Sequence, residues 1–122
     1  MYREIKVGEM SIPMLANGAT PIRYRMVFGK DLMSEFNQIQ EDTGKASTSL
    51  SELAFIMAKA AEAFNEKKAM TTLNQESYVE WLEQFEPLDL VLAAEDIVNL
   101  YMGNGETLSE AKKKAGDAVK DN

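Results

Sequence analysis

The 122-residue sequence contains neither histidine nor cysteine. Without histidine it lacks the side chain that most often moves protons near neutral pH. Without cysteine it lacks the thiol nucleophile and, with histidine, the usual ligands of zinc and copper. No disulfide framework is possible, which fits a reducing compartment. No apolar run approaches the ~18 residues of a membrane-spanning helix. The opening residues, Met1-Tyr2-Arg3-Glu4-Ile5-Lys6, alternate polar and apolar and lack a signal-peptide core. The expectation is an intracellular protein that stays off membranes.

The remaining routes to chemistry are also poorly served. A di-iron centre in a helical bundle needs Glu-x-x-His. Glu62, Glu66, Glu95 and Asp96 therefore read as solvated helix faces. Gly103-Asn104-Gly105 has neither the lysine nor the following helix of a phosphate loop. No run alternates oxygen ligands around a central glycine as a calcium loop does. Serines are present, but no base stands ready to activate one. The sequence predicts no enzyme, no metal and no cofactor.

The apolar fraction is 45% and the charged fraction 27%, as in ordinary globular domains. The expected fold is mainly α: a short N-terminal β-hairpin, a bundle of about five helices over residues 1–102, and a flexible polar tail over 103–122. Charge is uneven. Residues 1–30 carry five Lys/Arg against two Glu, whereas residues 31–102 carry four Lys against fourteen Asp/Glu. An acidic helical body repels phosphate backbones, so nucleic acid is not an expected partner.

Ile5 and Val7 share one strand face, as do Met10, Ile12 and Met14, with Gly8-Glu9 suited to a two-residue turn. Pro13 must sit at an edge or outside the ladder. Two strands alone are marginal, so the hairpin must lie on the helices or pair with another chain. Asn17-Gly18 breaks the chain, and Thr20-Pro21 opens a helix with Thr20 as cap; Ile22, Met26 and Val27 are assigned to the core. Gly29 ends that helix. Asp31 caps the next, with Leu32, Phe36 and Ile39 at helical spacing. Residues 41–51, polar with Gly44, read as a loop. A third helix, about Ser51 to Asn65, presents Leu53, Met57, Ala61 and Phe64 as one stripe, with Phe55, Ile56 and Ala60 on other sides. Asn74 caps a fourth helix carrying Tyr78, Trp81, Leu82 and Phe85. Pro87 sits in the first turn of a fifth, Leu88 to Met102, which Gly103 stops. Leu108, Ala111, Ala115 and Val119 hint at a weak amphipathic helix in the tail.

Eight methionines stand out. Methionine fills cores, and it also suits surfaces that repack against varied apolar partners. Thr48-Ser49-Leu50 before a helix resembles the modified serine of acyl carrier proteins, whose motif has Asp where Thr48 stands; as caps of the third helix these residues need no such role.

The stretch Ala16-Asn17-Gly18-Ala19-Thr20-Pro21-Ile22-Arg23-Tyr24-Arg25-Met26-Val27-Phe28-Gly29-Lys30-Asp31-Leu32 resembles the tail assembly chaperones of long-tailed phages and prophages of Gram-positive bacteria. The preceding hairpin, the Trp81-Leu82…Phe85-Glu86-Pro87 joint and the order of elements are similar as well, over roughly residues 3–102. The resemblance implies a protein that binds the long helical tape measure protein in the host cytoplasm. It keeps that protein soluble until tail tube subunits polymerise around it, and it is absent from the mature virion. It also implies a programmed ribosomal frameshift near the end of the gene, giving a longer product that recruits tail tube protein. Lys112-Lys113-Lys114 is a place where an A-rich run would allow such slippage. The other reading is a connector subunit retained in the particle.

Candidate partner-binding residues are Arg23, Tyr24, Arg25, Phe28, Met33, Phe36, Met70, Trp81 and Met102. The first four carry the recognisable motif. They form either a basic-aromatic patch for a partner or for self-association, or a helix whose Tyr24 and Phe28 fill core.

Overall fold

The computed structural model describes residues 1–39, 43–70 and 72–103. The tail expected over 103–122, with its weak amphipathic helix and Lys112–Lys114, lies outside them except for Gly103. The side chains of 37–39, including Ile39, and of 43–47 lie outside them too. The chain runs as a hairpin, β1 (Tyr2–Val7) and β2 (Met10–Leu15), then α1 (Thr20–Phe28), α2 (Leu32–Ile39), α3 (Thr43–Asn65), α4 (Gln75–Leu82), α5 (Asp89–Leu92) and α6 (Ala94–Met102). This is the expected mainly α fold with an N-terminal hairpin, with six helices described rather than five.

β1 and β2 pair antiparallel with Val7 opposite Met10 and Ile5 opposite Ile12. Gly8 at φ +64° makes the tight turn. Ile5, Val7 and Met14 are buried against the helices. Pro13 lies opposite Glu4, at a position where its nitrogen faces away from β1 and no ladder bond is lost.

α3 is the axis of the fold. Every residue from Ser49 to Ala58 is buried, so all sides of three turns are covered by other elements. α1, α2, α4, α5, α6 and β2 all pack on it. Full burial of each Leu, Ile, Phe or Met here contributes about 1.5–3 kcal/mol. α3 starts at Thr43, correcting the loop expected over 41–51. Ser and Thr lower helix propensity by at most about 0.7 kcal/mol per residue, and a helix already nucleated by its buried half gains a hydrogen bond for each residue added. Ser49 and Ser51 are also satisfied: Ser49 Oγ donates to Glu35 of α2 at 2.9 Å, and Ser51 Oγ donates within α3 to the Thr48 carbonyl at 2.8 Å.

Caps behave as local chemistry dictates at two helix starts. Asp31 accepts from the Ser34 N–H at 3.0 Å. Asn74 and Ser77 form a reciprocal capping box. α1 departs from expectation. Its cap is Ala19, and Thr20 is the first helical residue, its hydroxyl instead accepting from Asn17 N–H at 2.9 Å. Gly29, at φ +68°, closes α1.

Phe64, expected in the core stripe of α3, is exposed and stacks on Tyr2 with ring centroids 6.3 Å apart. It is the penultimate residue of α3, beyond the run from Ser49 to Ala58 that is buried on every side. The helix expected over 88–102 divides at Ala93, which is buried at φ −91°, ψ 0°. Leu90, Ala93, Ile97 and Leu100 still form one buried stripe, while Leu88, Val91 and Leu92 face solvent. Pro87 precedes α5 and is not in its first turn. Glu62, Glu66, Glu95 and Asp96 are exposed, as predicted.

Candidate partner-binding surface

α1 is apolar on two opposite sides. Thr20 and Tyr24 are fully buried, and Phe28 is half-buried below them. The reverse side carries Ile22 and Met26, 60% and 77% exposed. The core assignment of these two is therefore corrected. Residues two apart on a helix lie about 200° apart, so the stripe that takes Tyr24 and Phe28 inward turns Ile22 and Met26 outward.

An aromatic chain decides which stripe goes in. The Tyr24 ring meets Phe28 at 5.2 Å, Phe28 meets Tyr78 at 5.1 Å, Tyr78 meets Phe55 at 5.4 Å, and Phe55 meets Trp81 at 5.7 Å. Such tilted and edge-on pairs contribute about 0.5–1.5 kcal/mol each beyond area burial. This chain links α1, α3 and α4. Tyr24 and Trp81, both proposed from sequence as partner anchors, are parts of the core. So is Phe36, which packs on Tyr101 at 5.5 Å.

A polar knot sits beside the aromatic chain. Glu52, 5% exposed, accepts from the Tyr24 hydroxyl at 2.9 Å and from Lys30 Nζ at 2.8 Å. Burial, then the Glu52 hydrogen bond, push the Tyr24 phenol far above the ordinary tyrosine range. The Ser51 hydroxyl gives its proton to the Thr48 carbonyl, so Tyr78 is the donor in its 2.6 Å contact with Ser51. Burial is the main cause that raises the Tyr78 phenol. Among the described residues, no buried side-chain nitrogen or oxygen lacks a partner. No three acidic side chains among them converge as metal ligands, and no helix among them is long and apolar enough to cross a membrane. Glu52 and Lys30 carry this knot and were not singled out from sequence, where nothing joins positions 22 residues apart.

Two of the accessible candidates gather at one place. Arg23 and Met70 line a groove of about 340 Å³ with Met26, Val27, Thr72 and Leu73, between α1 and the chain that follows α3. Gln75 bridges the same two regions, donating to the Val27 carbonyl at 3.4 Å. Arg25 is exposed on α1. Met33, 41% exposed, lies on α2, and Met102 packs half-buried at the end of α6; neither lines the groove. Phe28 packs half-buried against the core and does not line the groove. Ile22 and Met26 are the exposed residues that sequence reasoning missed, while Val27 and Leu73 line the groove and pack half-buried against the core. The available signal was an α1 with two opposed apolar stripes, Tyr24 with Phe28 and Ile22 with Met26, parted by Arg23 and Arg25, so that one stripe faces outward whichever is buried.

No known family model matches this chain, and no curated protein or solved structure is detectably similar to it.

Proposed function

We propose that this protein is a tail assembly chaperone of a long-tailed phage or prophage. It binds apolar faces of the helical tape measure protein in the host cytoplasm and leaves before the virion is complete. The observation that carries the reading is the outward turn of Ile22 and Met26 beside the groove lined by Val27, Met70 and Leu73. These residues belong to, or pack against, the stretch from Ala16 to Leu32 on which the family resemblance rests.

The physics of the task fits such a surface. A helix destined to line a tube has apolar faces that aggregate unless covered. An amphipathic helix is held by laying spaced apolar side chains into a groove. Methionine at two groove positions lets it adapt to successive, unequal segments. Arg23 at the rim supplies a cation for carboxylates flanking a partner's apolar stripe. The acidic body keeps a many-copy complex in solution. Release calls for many modest contacts with fast dissociation in preference to one tight interface. Recruitment of tail tube protein belongs to the longer frameshifted product.

Co-expression with the tape measure protein of the same phage tests the reading. The expected result is a shift of that protein from the insoluble to the soluble fraction, and its recovery on the tagged chaperone. Persistent insolubility with no recovery would end this reading, and detection of the protein in purified particles would favour the connector.

A further inference from the structure

We propose that β1 is a dimerisation edge. Two copies of this chain join β1 to β1 antiparallel, with Ile5 on the two-fold axis and Glu4 of each copy opposite Lys6 of the other.

Hydrogen-bond parity identifies the free edge. In a hairpin with a two-residue turn the closing pair, here Val7 and Met10, is hydrogen-bonded, and bonded pairs then alternate. Val7, Ile5 and Arg3 therefore direct their backbone groups to β2. The far end agrees, because Met1 and Ala16 exchange N–H···O bonds in both directions. The N–H and C=O groups of Glu4 and Lys6 consequently point away from β2. Among the described residues they meet no other backbone partner.

The opposite edge is interrupted. The outward positions of β2 include Pro13, which has no N–H to offer. α3 packs along β2, and Ile12 and Pro13 share a groove with Ala58, Lys59 and Glu62 of that helix. α5 and α6 meet β1, but both also pack on α3, which puts them on the buried side with Ile5 and Val7. Glu4 and Lys6 are exposed, and among the described residues neither forms an ion pair.

Charge selects the partner and the register. Outward backbone groups belong to even-numbered residues on both copies, so a symmetric pairing is centred on Arg3, Glu4, Ile5 or Lys6. Centring on Arg3, Glu4 or Lys6 sets two like charges directly opposite, which is unfavourable. Centring on Ile5 sets Glu4 against Lys6 twice and makes those residues the hydrogen-bonded pairs. The edge is thus complementary to a second copy of itself. The symmetric contact uses β1 of both copies, so it closes at two and does not propagate.

Light scattering on the eluting protein tests this directly. The full chain should elute at twice its monomer mass. Glu4→Lys, which leaves two lysines on the edge, and Lys6→Glu, which leaves two glutamates, should each weaken association by about tenfold or more and elute as monomers with unchanged circular dichroism. Mixed in equal amounts, the two variants should form a heterodimer, because each lysine then faces a glutamate. Glu4→Gln with Lys6→Gln gives a milder uncharged control that should fall between. A monomeric parent chain, a dimer indifferent to both substitutions, or a mixture that stays monomeric would each overturn the proposal.

Discussion

The Tyr24 hydroxyl on α1 donates to the buried Glu52 carboxylate on α3 at 2.9 Å. The same carboxylate oxygen accepts from Lys30 at 2.8 Å. A charge in the middle of the most deeply buried helix is tolerated because both neighbours hydrogen-bond to it. Tyr24→Phe removes one of the two at nearly constant volume. It should cost about 1–3 kcal/mol, the range for a hydrogen bond to a charged group. Glu52→Gln should cost less, since an amide oxygen still accepts from Tyr24 and Lys30 can turn to water. Urea titration with an unchanged slope is the measurement. A Tyr24→Phe loss below about 0.5 kcal/mol, the scale of ordinary surface changes, would mean the knot is not holding α1 to α3.

Stability should fall at alkaline pH. Burial raises the phenols of Tyr24, Tyr78 and Tyr101 above their unfolded value of 10.0. Above that value the unfolded chain has released these protons while the folded chain retains them. The unfolded state then binds fewer protons, so unfolding becomes easier as pH rises. The contribution is complete below pH 10 and is lost progressively above it. Thermal midpoints across that range should drop in parallel with the appearance of phenolate absorbance. Full phenolate titration in a chain that stays folded would contradict the burial of these hydroxyls.

Gly8 and Lys67 both hold a positive φ and should respond oppositely to substitution. Gly8 sits at φ +64°, and a Cβ there would lie 2.6 Å from an Asp89 carboxylate oxygen. That oxygen is already engaged by the Glu86 N–H at 2.9 Å, so it cannot move freely. Gly8→Ala should cost at least the ~1–3 kcal/mol of a strained backbone. Lys67 holds φ +55° where α3 ends, with Lys68 N–H bonded to the Ala63 carbonyl and Lys67 N–H to that of Phe64. This is the Schellman pattern, in which glycine is the usual residue. Lys67→Gly should therefore stabilise by about 0.5–1 kcal/mol, the reverse of glycine's effect inside a helix. Equal signs for the two changes in a thermal melt would count against both assignments.

What could be read in advance was what is decided within a few residues. The cap at Asn74, the cap at Asp31, the turn at Gly8 and the stop at Gly29 each depend on neighbours three or four positions away. The facing of α1 does not. Tyr24 and Phe28 compete with Ile22 and Met26 for the interior, and the outcome is set by Phe55 and Tyr78 on other helices. The burial of Glu52 likewise depends on Lys30 and Tyr24, which no periodicity connects to it. The helical state of residues 43–51 follows from the buried half of α3, against the turn preference of its serines and threonines. Three of the partner-binding candidates, Tyr24, Phe36 and Trp81, lie in the core for the same reason, because large aromatic side chains are what the core takes first.

The outward side of α1 should separate binding from folding. Ile22 and Met26 are exposed, so Ile22→Asp and Met26→Asp should each change stability by no more than about 0.5 kcal/mol. Against an apolar partner face the same carboxylate would be buried without a counter-charge, at a cost of several kcal/mol. The double variant should stay folded by circular dichroism and lose the tape measure protein in co-expression. Trp81→Asp and Phe36→Asp put the charge in the core and should unfold the domain, losing binding for a different reason. Met33→Asp, on α2 and outside the groove, should leave binding near that of the parent. Raising salt should weaken the complex only slightly, because screening acts on Arg23 and its partner carboxylate and not on the methionines. If the folded Ile22→Asp/Met26→Asp variant still solubilises its partner, the binding face lies elsewhere on the domain.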